Sequence, residues 1–288
     1  MKRKWMLVSA MGLALAAVRG QSQDKTVIPK EVREAAQVFT EGVIVAKGIG
    51  AAPTDRPLSA TQKEELALRA AKIVALRELA ETAGGIRLAG DTALRDAAAT
   101  NDQIRGTMEA FVRGAEVIHE SYDESREKAV VFVRLNLRGP NSLVENLLPR
   151  IIQQQAASLP PVSAYSPPAS APPPPSDPAD GLIIDATGSS FRPALINRIL
   201  TANGSALFEP SKIAPDVLAK KGCGEYTNDV GKAKAILAER GAKHPLVVKV
   251  AGVQRSTDAQ VSEADAAAIF SANQKTNFLE GAKVVFVL

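Results

Sequence analysis

Apolar and polar positions along the chain divide into two patterned regions separated by a proline-rich stretch. In the first region, Gly42 to Gly50 (GVIVAKGIG) reads as a strand that ends in glycines, followed by a loop containing Pro53 and Pro57. Thr61, Gln62, Lys63 and Glu64 match a capping box, in which a hydroxyl and a carboxylate satisfy the free N–H groups at a helix start. A helix is expected from there to Thr82, with Leu66, Ala70, Ile73, Leu76, Leu79 and Ala80 as its apolar face. Glu65 with Arg69, and Arg77 with Glu81, fall at the i,i+4 spacing of a solvated face, and Ala83-Gly84-Gly85 ends the helix.

Ile86 to Leu88 reads as a short strand, and Asp91 to Asp102 gives mixed signals. Phe111 to Ser121 and Ala129 to Leu137 (AVVFVRLNL) are expected to pair as a hairpin around the charged stretch Tyr122 to Glu127. Asn141 to Gln153 closes the region as a helix that Pro149 is expected to kink or break. In the second region, strands are expected at Gly181–Ala186, Leu246–Gln254 and Ala282–Leu288. A hairpin turns at Asn203-Gly204, and helices lie over Val230–Arg240 and from Ser262 to about Ala272.

Between the regions, residues 154–180 hold nine of the eighteen prolines. Proline lacks the N–H that helices and ladders need and fixes φ, so an extended, partly polyproline II spacer is expected. The resulting division is 1–20, 30–153, 154–180 and 181–288. The fold class is α+β/α/β, with two small domains, each a mostly antiparallel sheet packed with helices and joined by the proline-rich linker.

Residues 1–20 add a compartment. Lys2, Arg3 and Lys4 precede a fourteen-residue apolar run, Trp5 to Val18, and small residues follow up to Gly20. This is the layout of a secretory signal peptide cleaved after Gly20 or Ala16, with an uncleaved N-terminal anchor as the alternative; the run is short for a membrane span. The formal charge of the chain is +4. Removing 1–20 removes Lys2, Arg3, Lys4 and Arg19 and no acid, so 4 − 4 leaves zero. A nucleic-acid partner therefore loses the electrostatic field it would need. The single cysteine, Cys223, excludes an intrachain disulfide and reads as a buried or incidental thiol. No cysteine lies near the end of the leader, so acylation there is not expected.

The spacing of several segments carries a family resemblance. The strand ends in Gly48-Ile49-Gly50-Ala51-Ala52-Pro53. The long helix holds Leu68-Arg69-Ala70-Ala71-Lys72 and Ala75-Leu76-Arg77-Glu78-Leu79-Ala80-Glu81. Asp91-Thr92, Val112-Arg113-Gly114-Ala115 and the hairpin follow. Over roughly residues 40–138 this resembles the bacterial envelope family typified by a 20-kDa membrane-associated lipoprotein. Relatives of that family include flagellar basal-disk and periplasmic flagellar ring proteins. Gly181 to Ala186 and Arg192 to Leu195 resemble an uncharacterised extension of longer envelope proteins of this type. The resemblance implies a periplasmic or outer-membrane-associated protein that is not an enzyme. It would act in structure or assembly through envelope proteins or self-association, as an oligomer, with peripheral membrane contact; many relatives carry a lipid-attachment cysteine and this chain does not, so no lipid anchor is expected. A flagellar role does not follow from it.

The chemistry-bearing residues are sparse. His119 and His244 are the two histidines, and neither has a second ligand at metal spacing. No Gly-x-Ser-x-Gly elbow occurs. Gly48-x-Gly50 lacks the third glycine of a phosphate turn and reads as a tight strand exit. Asp185 and Asp91-Thr92 read as turn and capping residues. Arg113, Arg126, Lys128 and Arg134 are interspersed with Glu116, Glu120, Asp123 and Glu127, a mixed-sign solvated face. No catalytic, cofactor-binding or metal residues are assigned, and no cofactor is expected. The alternative to assembly is a periplasmic binding module for a small molecule or glycan, which needs a concave pocket with converging polar groups.

Overall fold

The computed structural model describes residues 37–155, 161–168 and 177–288. The expected signal peptide at 1–20 lies outside the described residues.

In the first unit, strand β1 (Val43–Ala51) pairs antiparallel with β5 (Lys128–Asn136), which pairs antiparallel with β4 (Glu116–Asp123). The order is β1-β5-β4, and helix α1 (Ala60–Gly84) covers one face. Ile44, Ala46, Gly48 and Gly50 alternate inward along β1, opposite the buried Leu135, Val133, Val131 and Ala129 of β5.

The helix face differs from the expected one. Ala67, Ala71, Ala75, Leu79 and Ala83 are fully buried, whereas Ile73 is 54% exposed. The cause lies in β1. A Cβ on Gly48 would stand 1.9 Å from the Ala71 carbonyl oxygen, and one on Gly50 would stand 2.2 Å from the Ala71 N. Helix backbone lies directly on strand backbone, so the helix presents its smallest side chains there and its larger ones flank the contact.

The cap also differs. Ser59, not Thr61, is the N-cap, and Gln62 completes the box through bonds of 3.2 and 3.0 Å. Ser59-x-x-Gln62 satisfies the same pattern two residues nearer Pro57, so the helix extends back to it.

Next come β2 (Arg87–Ala89), β3 (Thr92–Ala93) and two helices, α2 (Leu94–Thr100) and α3 (Asp102–Arg113). Phe111 to Arg113, expected as strand, ends α3. Asn101 caps that helix by accepting from the Gln103 and Ile104 N–H groups, and Gly114 stops it.

Helix α4 (Leu143–Gln155) runs through Pro149 without breaking. Leu143, Val144, Leu147, Leu148 and Ile151 are fully buried, or within 2% of it. Burial at about 1.5–3 kcal/mol per large apolar side chain outweighs the roughly 3 kcal/mol that an interior proline costs.

The second unit has two sheets. Strands β6 (Gly181–Asp185), β9 (Glu225–Thr227), β10 (Pro245–Lys249) and β13 (Val284–Val287) form one in the order β10-β6-β13-β9, with every pair parallel. Strands β7 (Ile199–Thr201), β8 (Ala206–Phe208), β11 (Gly252–Gln254) and β12 (Asp258–Val261) form the other, mixed, in the order β11-β12-β7-β8. Helices α5 (Pro215–Lys221), α6 (Val230–Glu239) and α7 (Glu263–Thr276) complete it.

The two-unit α/β architecture is as expected, but one of the two four-stranded sheets of the second unit is parallel rather than antiparallel. Its central strands β6 and β13 are buried almost throughout, and such strands read as continuous apolar runs that give no direction. Leu246 to Gln254, expected as one strand, changes sheet midway. Val250 donates to the Asp185 carbonyl and Ala251 to that of Gln260.

The units share one continuous hydrophobic core. Leu195 and Ile196 donate backbone bonds to Arg87 and Leu88 of β2 at 3.0 and 2.9 Å, and the Gly90 N–H donates to the buried Thr257 hydroxyl. Part of the expected spacer is docked. Tyr165 donates to the Ala206 carbonyl, Ala206 donates to that of Ser163, and the buried Tyr165 ring meets Phe270 edge-on. Val162 to Ser166 lies between prolines but contains none, so its N–H groups are free to pair.

Candidate interaction surface

The inner face of the first sheet is closed by α1, and its outer face is open. Cross-strand register sets three rows there: Val45, Arg134 and Glu116; Lys47, Phe132 and His119; Ile49, Val130 and Ser121. Val45 and Ile49 are 49% and 52% exposed. Phe132 lies at the centre, with the Lys47 ammonium 5.7 Å from its ring centroid and the His119 ring 6.0 Å away. Arg134 pairs with Glu116 at 2.6 Å.

The edge of the sheet is open as well. The Leu137 N–H donates to the Gly42 carbonyl, which fixes the ladder phase. Ile44, Ala46, Gly48 and Gly50 therefore aim their backbone groups at β5, and Val43, Val45, Lys47 and Ile49 aim theirs outward. Among the described residues no strand pairs with that side. A groove of about 490 Å³ runs along it, lined by Val43 to Lys47, by Glu78 and Thr82 of α1, and by Gln37, Val38 and Glu41 of a helical turn at 37–41. An unpaired strand edge with apolar side chains is a template for another strand.

The residues considered from sequence do not converge. His119 is exposed on the open face. His244 is exposed near β10, and its backbone N–H donates to Asp180. Asp185 ends β6 and accepts from the Thr187 N–H; the Thr187 bonds hold its carboxyl below the ordinary range. Asp91 pairs with Arg87 at 3.1 Å. Cys223 is buried, and that burial pushes its thiol up to about 12.

Of the hairpin charges, Arg126 pairs with Asp123 and Glu127 with Lys63, while Arg113 pairs with Glu109 on α3 instead. Among the described residues no group of three or more His, Cys, Asp or Glu could hold a metal. No described helix is long and apolar enough to cross a membrane. Sequence reasoning did not identify the open edge. The available signal was the alternation of small inward residues with Val45, Lys47 and Ile49, which marks a one-sided strand but not its place in the sheet.

No curated protein matches the chain. Residues 181–288 match the bacterial family model described as Treponema pallidum Tp0624, second domain, so that the second unit, rather than the one bearing the open edge, is what is similar to this family.

Proposed function

We propose that this chain is an exported, non-enzymatic envelope protein that works by self-association, with two copies joining through the outer edge of β1. The single observation that carries the reading is the run of backbone donors and acceptors at Val43, Val45, Lys47 and Ile49, unpaired among the described residues and flanked by exposed apolar side chains. The leader-like residues 1–20 and the envelope-family resemblance of residues 40–138 support the compartment.

Charge selects the register of the pair. A two-fold axis at Lys47 would set like charges opposite each other, which destabilises a strand pair. An axis at Val45 sets each Lys47 opposite the other copy's Val43, two residues from Glu41. The two sheets then join as one, and a closed dimer results from a single self-complementary patch.

A Val45→Cys variant of the full chain tests this register. Hydrogen-bonded antiparallel partners stand about 5.5 Å apart at Cα, within disulfide range. Mild oxidation should give a disulfide-linked dimer for Val45→Cys and none for Ile49→Cys. Equal cross-linking of both, or of neither, contradicts the pairing. An exported chain should also begin after the leader when its N-terminus is sequenced.

A further inference from the structure

A second feature lies at the seam between the units, beside the N-terminal end of β1, with Val43 lining both it and the edge groove. Arg138 follows β5 and extends into the second unit, with its guanidinium carbon 5.2 Å from the centroid of the Tyr226 ring. Tyr226 is itself fixed. Its hydroxyl donates to the Ala194 carbonyl at 2.7 Å, and its ring packs on Phe39 and Phe286. Glu225, the residue before Tyr226, is taken by Arg240, which also donates to the Ala282 carbonyl. Among the described residues, Arg138 has no hydrogen bond and no ion pair. It lines a cleft of about 350 Å³ together with Phe39, Val43, Asn136, Tyr226 and Ile236.

Arg138 is half-buried, and a charge withdrawn in part from water gains from a partner that the solvent no longer fully replaces. A guanidinium carries five N–H donors in a planar fork that matches a carboxylate. Here the aromatic ring takes one face of the fork and leaves the donor edge free. Burial also lowers the proton affinity of Arg138, an effect that a bound anion would oppose.

We propose that this cleft is a binding site for a small organic carboxylate, with Arg138 receiving the carboxylate and Phe39, Val43, Tyr226 and Ile236 receiving its apolar body. Glu41 and Glu225 also line the cleft, and their charge favours a monoanion over phosphate. The site is formed by both units, so an occupant would tie them together.

The test is a thermal-shift titration of the full chain with hexanoate, with hexylamine and inorganic phosphate as comparisons, followed by calorimetric binding of whichever probe responds. Hexanoate should raise the melting temperature in a saturable manner; hexylamine and phosphate should not. Arg138→Met should abolish the response, while without ligand it should melt at or above the temperature of the unmodified chain, because an unpaired charge has been replaced by an apolar side chain. Arg138→Lys, which keeps the charge but loses the fork, should weaken the response at least tenfold in apparent affinity. No response to hexanoate in the unmodified chain overturns the proposal. So does an equal response in Arg138→Met, or an Arg138→Met chain that melts well below the original, which would make the arginine structural.

Discussion

Substituting Gly48 by alanine adds one methyl group and should be among the most damaging small changes available to this fold. The new Cβ would lie 1.9 Å from the Ala71 oxygen and 2.4 Å from the Ala75 nitrogen. Ordinary contact is about 3.5 Å, so the surfaces overlap by roughly 1.5 Å. Overpacking that flexible side chains can absorb costs about 1–3 kcal/mol. Neither neighbour here is a side chain, so α1 must lift off β1 along the stripe Ala67, Ala71 and Ala75. A radial gap of about 1 Å already forfeits up to half of each dispersion contact. The expected loss is therefore about 3 kcal/mol or more, a large share of the roughly 5–15 kcal/mol that holds a domain folded. Urea unfolding of the full chain, followed by far-UV circular dichroism, measures it as a lower midpoint. Gly106→Ala provides the opposite sign: it lies inside α3 with nothing within 4 Å of its Cβ, and should gain about 1 kcal/mol. A Gly48→Ala chain within about 0.5 kcal/mol of the original, the scatter of neutral surface changes, would refute the backbone-on-backbone contact.

Three further outcomes follow from local geometry. Ser59→Ala should cost about 1 kcal/mol in the same urea experiment and Thr61→Ala close to nothing, since the cap is Ser59. Burial raises the Asp180 carboxyl, but the Lys243 and His244 N–H groups at 2.7 and 2.8 Å outweigh it and hold the pKa below the ordinary value. A depressed native pKa gives stability that is present at neutral pH and lost as pH falls through it. The deficit of Asp180→Asn relative to the original chain, seen at pH 7, should therefore close below about pH 4, and a pH-independent deficit would contradict this. With its thiol pushed to about 12 by burial, Cys223 should resist iodoacetamide at pH 8 in the folded chain and react fully in urea.

How much of this was legible in the sequence depended on whether a signal was local. The hairpin of β4 and β5, the Asn203-Gly204 turn and the Ser262 cap on α7 are written in consecutive residues, and each is found within a few positions of its expected place. The face of α1 was not legible, because a stripe of alanines is ranked below Ile73 and Leu66 on any hydrophobic scale. Only the bare backbone of Gly48 and Gly50, brought across a loop, makes small side chains the right ones to bury. Helix α3 was missed where the alternation in Phe111 to Gly114 outweighed the Asn101 cap. The direction of β6 and β13 is carried by crossover connections and not by their own uniformly apolar residues.

The two surfaces on which the proposals rest were the least legible. Nothing in Gly42 to Gly50 says that β1 ends the sheet. Arg138 and Tyr226, 88 positions apart in the chain, meet only after the two units pack on each other.

Self-association depends most directly on the open edge of β1. The measurement that tests it is the molar mass of the full chain by light scattering over a dilution series, beside Val45→Pro. Proline at that position removes an N–H that faces outward and leaves the ladder to β5 intact. Pairing through this edge should give twice the chain mass at high concentration, falling toward the monomer on dilution, and a monomer at every concentration for Val45→Pro with an unchanged circular dichroism spectrum. A strict monomer in the original chain, or a dimer that Val45→Pro leaves untouched, would contradict it.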